Sequence, residues 1–189
     1  MSIEKTISSN RISTKEIVLT AMFTAIITIC AWISIPIGPI SFTMHTFAVF
    51  CAVCILGGRN SFFSVLTYLL LGAVGLPVFA GFKGGIGVLV NTTGGYLLGF
   101  LLIPLIYLVA EKIFGKSLAV RIISLIIGLA VCYAFGTAWF MFIYGKNTGE
   151  IGLMTALGWC VFPYIIPDLL KIALALAICK RLAGAIRID

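Results

Sequence analysis

An aspartate and a lysine three residues apart, Asp168 and Lys171, interrupt an apolar stretch running from about Val161 to Ile178. A spacing of i, i+3 puts both on one face of a helix. At bilayer depth either ion costs roughly 2.5–3.5 kcal/mol on insertion scales, so ionisable residues there pair, turn inward or line a substrate path. An ionised carboxylate only accepts hydrogen bonds and an ammonium only donates them. The two together either recognise a ligand with complementary edges or clamp two helices as a structural ion pair.

The surroundings define the solvent. Mean hydropathy is +1.20, 61% of the 189 residues are hydrophobic and 10% are charged. A hydrocarbon core of about 30 Å takes roughly 20 helical residues. Six apolar stretches are expected to cross it: Ile17–Ile35, Phe42–Leu56, Phe62–Leu76, Val88–Val109, Leu118–Ile143 and Leu153–Ile178, the last with Pro163 and Pro167 inside it. The second and third are short, which predicts tilt or shifted boundaries. Period-2 alternation is absent, so the fold class expected is all-α, a polytopic membrane protein in one domain over residues 1–189, rather than a β-barrel.

Ten of the thirteen basic residues fall on one side of these spans. They are Lys5, Arg11 and Lys15, then Arg59, then Lys112, Lys116 and Arg121, then Lys180, Arg181 and Arg187. Under the positive-inside rule both termini are cytoplasmic, with residues 1–14 a short polar cytoplasmic segment and no cleaved secretory leader. The net charge of +7 is then a topology signal and not a nucleic-acid footprint.

Several motifs carry no chemistry in this setting. Cys51 and Cys54 spell C-x-x-C inside an apolar helix, where cysteine packs as a small hydrophobe, and the chain's one histidine, His45, precludes a multi-histidine metal site. No cofactor is implied. Residues 110–117, Ala-Glu-Lys-Ile-Phe-Gly-Lys-Ser, fit a relaxed phosphate-loop pattern, yet they join two membrane spans instead of a strand and a soluble helix. Asn91-Thr92-Thr93 is a glycosylation sequon by pattern only. An intramembrane enzyme would need a nucleophile and base beside Asp168, and none is recognisable. A proton-coupled carrier should show internal repeats, and none is apparent.

The middle of the chain is dense in glycine, from Gly75 to Phe100. Residues 79–87 are expected as a loop that covers a cavity, since irregular backbone at membrane depth occurs where it is buried or lines one. Gly95 and Gly99 form a small-xxx-small pair suited to helix packing. Three strings here, Gly-Leu-Pro-Val-Phe-Ala-Gly (75–81), Gly84-Gly85 and Thr-Gly-Gly-Tyr-Leu-Leu-Gly-Phe (93–100), together with Pro167-Asp168-Leu-Leu-Lys171, resemble the BioY family. These are the biotin-specific S components of energy-coupling-factor (ECF) transporters.

That resemblance covers most of the chain. It implies a six-helix protein of a prokaryotic cell (plasma) membrane that binds biotin from the extracellular side. It further implies partnership with an EcfT-like transmembrane coupling protein and two cytoplasmic ATPases. Ala21-Met-Phe-Thr-Ala25 is similar to the A-x-x-x-A motif by which S components dock on the coupling protein, although the same stripe also serves ordinary helix packing. The sequence departs from the family at Asn91-Thr92, where Gly-Pro is usual, and at His45, where glutamine is common.

Biotin offers a ureido carbonyl and two N–H groups, apolar fused rings and a carboxylate tail. Lys171 can donate to the carbonyl and Asp168 can accept from an N–H, while Asn91 has both a donor and an acceptor for the same group. Phe79, Phe82, Trp139 and Tyr164 are candidate apolar walls, in keeping with pockets that are mostly apolar with a few placed polar groups. Each aromatic taken singly fits a core or a lipid-facing position equally well.

Overall fold

The computed structural model describes residues 13–37 and 40–182. The predicted terminal segment 1–14 therefore lies outside the described residues up to residue 12, as do Lys5, Arg11 and Arg187. In chain order the elements are α1 (Thr14–Trp32), β1 (Ser34–Ile37), β2 (Ile40–Thr43), α2 (His45–Val74), α3 (Ile86–Leu89), α4 (Gly94–Gly99), α5 (Leu102–Phe114), α6 (Leu118–Asn147), α7 (Leu153–Cys160) and α8 (Phe162–Leu182). Ser13 starts α1 through a capping box: its hydroxyl accepts from the Lys15 amide at 3.3 Å, and Glu16 takes the Ser13 amide at 3.0 Å.

By length and composition, five helical stretches among the described residues can cross a membrane: Thr14–Trp32, His45–Val74, Gly94–Phe114, Leu118–Asn147 and Phe162–Leu182. The second is not straight. Gly57, at φ 78° and ψ 176°, breaks α2 in a conformation open essentially to glycine alone. A straight helix rising about 1.5 Å per residue would hold positions 45 and 68 about 34 Å apart. Instead the rings of His45 and Tyr68 meet edge to face with centroids 4.7 Å apart. The chain therefore doubles back at Gly57 into two arms, 45–56 and 58–74. These arms cover most of the apolar stretches Phe42–Leu56 and Phe62–Leu76, and the turn between them explains why each stretch is short.

Other boundaries moved for local reasons. The all-α expectation is corrected by a small antiparallel hairpin, β1 with β2, in the register Ser34 opposite Thr43 and Ile37 opposite Ile40. Pro36 and Pro39 lack the amide a helix needs, so the first span stops at Trp32 and not at Ile35. The stretch Val88–Val109 splits into α3, α4 and α5 around a turn at Asn91, whose side chain accepts the Thr92 amide at 2.7 Å. The last stretch breaks at Val161, φ −125° and ψ −58°, just ahead of Pro163 in the first turn of α8.

The two arms of α2 form the most enclosed part of the bundle and touch α1, α5 and α8, while α6 packs on α4 and α5. The small-residue pair does what its spacing predicts: Gly95 lies against Trp139 and Gly99 against Cys132, both on α6. Outward positions are equally apolar, with Ile166 71%, Leu170 66% and Phe114 72% exposed. A helix bundle apolar on its outside as well as its inside is an integral membrane protein. One end of the bundle gathers the first turn of α1, the Gly57 turn, the α5–α6 loop and the last turn of α8 around a shared cavity. The other end holds the β hairpin and the loop 75–93.

Gly57→Ala should lose about 1–3 kcal/mol through its forced backbone, which lowers the midpoint by roughly 2–4 °C per kcal/mol in a chain of this length. Gly87→Ala, whose new methyl would meet nothing within 4 Å, is expected to leave it unchanged. Thermal unfolding of both variants in detergent checks this, and equal midpoints would refute the turn.

Candidate functional site

Asp168 and Lys171 lie on the inner face of α8, 3% and 6% exposed. Lys171 Nζ stands 2.8 Å from Asp168 Oδ1. It also donates to the Thr43 carbonyl at 2.7 Å and to Thr46 Oγ1 at 3.0 Å, so its three protons are all used. Thr46 in turn donates to Asp168 Oδ1 at 2.9 Å, and the Tyr133 hydroxyl donates to Oδ2 at 2.5 Å. The Phe42 ring faces the ammonium at 4.2 Å from its centroid, within reach of a cation–π attraction. The pair is thereby tied to β2, to the first turn of α2 and to α6.

Beside it lies a cavity of about 60 Å³, walled by Thr43 and Thr46, by Tyr96 on α4 and Phe100 at its end, by Cys132 and Tyr133 on α6, and by Tyr164 on α8. Tyr164 closes one side: its hydroxyl donates to the Ile40 carbonyl and its ring stacks on Phe42 with centroids 6.4 Å apart. Tyr96 is fixed by a 2.9 Å hydrogen bond with Thr137. The chemistry available is that of a polar cluster at the end of an apolar slot: a carboxylate acceptor with one lone-pair direction to spare, an ammonium donor, and aromatic sides.

Of the residues singled out from the sequence, Asp168, Lys171 and Tyr164 converge here. The others lie elsewhere. Phe79 is buried beneath Gly72 with its ring edge-on to Tyr68, centroids 5.5 Å apart. Phe82 is 64% exposed and lies against Trp32. Asn91 is exposed, its side chain spent on its own turn, and its carbonyl accepts from Trp139 Nε1 at 3.0 Å. His45 is 2% exposed between the Tyr68 and Phe100 rings, and among the described residues its Nε2 has no partner. Ala21 and Ala25 lie on the exposed side of α1, with Phe23, Thr24, Ile27, Thr28 and Ala31 buried on the other.

The residues that reasoning from sequence missed are Thr43, Thr46, Phe42 and Tyr133. Thr46 and Tyr133 are polar groups in apolar stretches, a visible signal, but their partner is 122 and 35 residues away and nothing local announces it. The phosphate-loop lookalike has structural tasks instead: Glu111 pairs with Lys116 at 3.4 Å and takes the Gly58 amide at 3.2 Å, and Ser117 caps α6 by accepting from Val120 at 3.2 Å. Cys51 and Cys54 are buried and unbridged. Among the described residues no group of His, Cys, Asp and Glu is arranged to hold a metal ion.

A sequence model of the BioY family matches residues 4–188. The chain is 41% identical to the biotin transporter BioY of Thermotoga maritima over 89% of its own length and 95% of the relative's. It is 41% identical to the probable biotin transporter BioY of Pyrococcus horikoshii over 90% and 97%. Its fold superposes with a TM-score of 0.79 on a crystal structure described as the S-component for biotin from an ECF-type ABC transporter, at 27% identity over 92% of this chain and 95% of that one. The matched residues run from before α1 to beyond α8, and on that ground the chain belongs to the BioY family.

Proposed function

We propose that this protein is the biotin-binding S component of an ECF-type vitamin transporter. In this reading six helices cross the plasma membrane with both termini inside. Biotin enters from the extracellular side, and an EcfT-like coupling protein with two cytoplasmic ATPases drives release. The family consists of transport proteins and not enzymes, and relatives carrying the name biotin transporter support the substrate. The topology is supported by the gathering of Arg59, Lys112, Lys116 and Arg121 at one end of the bundle.

The observation that carries the proposal is the buried, hydrogen-bonded ion pair of Asp168 and Lys171 facing a cavity inside an apolar bundle. Asp168 receives one ureido N–H on the lone pair left open, and Lys171 donates to the ureido carbonyl. Since every Lys171 proton is engaged, that donation requires an exchange, and the Thr43 carbonyl on the short hairpin is the partner most easily given up. A cavity of about 60 Å³ is far below the roughly 300–1,000 Å³ of ligand sites. Biotin therefore enters only when the β1–β2 hairpin lifts away from Tyr164 and Lys171. Asn91, Phe79, Phe82 and Trp139 belong to the same end of the bundle, and contact between them and biotin requires the loop 75–93 to move as well.

Titration calorimetry of the purified protein against a vitamin panel should show tight binding of biotin and none of thiamin or riboflavin; equal affinity for another vitamin would overturn the substrate. Asp168→Asn with Lys171→Met removes both charges together, so no orphan ion remains buried. That double variant should stay monodisperse and bind biotin about a hundredfold more weakly, the worth of a charge-assisted contact. Wild-type affinity would make the pair a helix clamp only.

Docking is tested separately. Ala21→Trp with Ala25→Trp puts bulk on an exposed stripe, so biotin affinity should be unchanged while co-purification with the coupling protein and ATP-dependent uptake into vesicles are lost. Retained co-purification would place the docking face elsewhere.

A further inference from the structure

A second cavity, about 640 Å³, opens at the end of the bundle away from Asp168. Four cations line it: Arg59 at the Gly57 turn, Lys112 and Lys116 at the end of α5, and Arg121 in the first turn of α6. Its two carboxylates are already committed. Glu16 accepts from the Ser13 amide at 3.0 Å and from Asn60 at 3.4 Å, while Glu111 accepts from the Gly58 amide at 3.2 Å and pairs with Lys116 at 3.4 Å. Among the described residues Arg59, Lys112 and Arg121 have no carboxylate within 4.0 Å.

Arg121 is the informative member. It is half-buried, and its Nη1 donates to Cys179 Sγ at 3.4 Å, a weak acceptor. Its guanidinium also shares a hydrogen bond with the Tyr107 side chain, and among the described residues its enclosed Nε has no partner. A guanidinium presents its donors in a planar fork that matches the oxygens of phosphate, and it is the side chain of choice where that fork must be filled away from bulk water. Chain neighbours of the lining residues Lys112, Lys116 and Arg121 are apolar and exposed: Ile113 67%, Phe114 72% and Leu118 62%. A cationic pocket with greasy flanks, at the level where helices end, fits an anionic head on an apolar body.

We propose that this cavity binds a phosphate group, that of an anionic phospholipid headgroup, with Arg121, Lys112 and Arg59 supplying the positive charge, and the acyl chains on the neighbouring exposed apolar residues. Free phosphate presents the same oxygens without the chains. The site shares no residue with the Asp168 network, so it stands or falls apart from biotin binding.

Native mass spectrometry of the full chain in detergent, titrated with dioctanoyl phosphatidylglycerol, dioctanoyl phosphatidylcholine or inorganic phosphate, tests it. Expected are saturable one-to-one binding of phosphatidylglycerol, phosphatidylcholine binding about tenfold or more weaker, and a loss of about tenfold for phosphatidylglycerol in Arg121→Gln and in Lys112→Gln. Biotin titration should be unchanged in both variants. Inorganic phosphate binding as tightly as phosphatidylglycerol, and weakened by the same substitutions, would support the phosphate site and assign it to the free ion. Equal binding of the two lipids, no saturable binding of any probe, or phosphatidylglycerol binding untouched by the substitutions would overturn the proposal. Should Arg121→Gln fail to fold, Lys112→Gln, on an exposed side chain, decides alone.

Discussion

A buried ammonium and a buried carboxylate in an apolar bundle are tolerated only if protein groups replace the water each has lost. Mutual attraction alone does not offset that desolvation. Here the replacement is complete on the lysine, whose three protons reach Asp168, Thr43 and Thr46. It is nearly complete on the aspartate, which accepts from Lys171, Thr46 and Tyr133. Removing either ion alone would leave the other uncompensated, at a cost of about 3–5 kcal/mol. The positions of β2, α2, α6 and α8 relative to one another are therefore all constrained by one cluster a few ångströms across.

Two backbone devices make that convergence possible. The turn at Gly57 folds α2 upon itself, so the second arm lies along α1, with Thr24 bonded to the Ser64 carbonyl at 3.1 Å. The first arm lies against α8, with the Cys179 thiol on the Cys54 carbonyl at 2.9 Å. The first arm thus presents Thr46 to Lys171 at its start and meets the end of α8 at its finish. On the other side, the absence of side chains at Gly95, Gly99 and Gly136 lets α4 and α6 approach until Trp139, Cys132 and Tyr96 fill the gaps. That close contact sets Tyr133 within reach of Asp168.

Much of this was legible because membrane burial makes polar residues conspicuous. Asp168 and Lys171 stood out as charges in an apolar run, and their i, i+3 spacing already placed them together. The apolar helices were legible by hydropathy, including the two arms of α2, since a pair of short apolar stretches separated by Gly57-Gly58-Arg59-Asn60 is what a tight helical turn looks like in sequence. The β hairpin was not legible: Ser34 to Thr43 is as apolar as its flanks, and only two prolines distinguish it from the end of a helix. The aromatic walls were the weakest reading. In a chain with fourteen phenylalanines, ring type does not separate a ligand wall from packing, and Phe79 beneath Gly72 shows packing prevailing. Thr43 and Tyr133 were hidden because long-range partners leave no periodic trace.

The same lysine connects recognition to motion. Its bond to the Thr43 carbonyl is a bond to the last residue of β2, and Tyr164 holds the first residue of β2 through the Ile40 carbonyl. An ammonium has only three protons, so in the proposed binding mode a ureido carbonyl and the Thr43 carbonyl compete for one donor. Ligand occupancy and hairpin position are then linked quantities, whatever the order in which they change. A ligand shifts such an equilibrium only by its differential affinity for the two arrangements, and the exchanged hydrogen bond is where that difference arises. The hairpin follows directly on α1, whose far face carries Ala21 and Ala25. The bond from Trp32 Nε1 to the Pro77 carbonyl, 2.9 Å, joins the end of α1 to the loop after α2. In the proposed binding mode, release of the hairpin would bear on the helix proposed to dock the coupling protein through continuous chain.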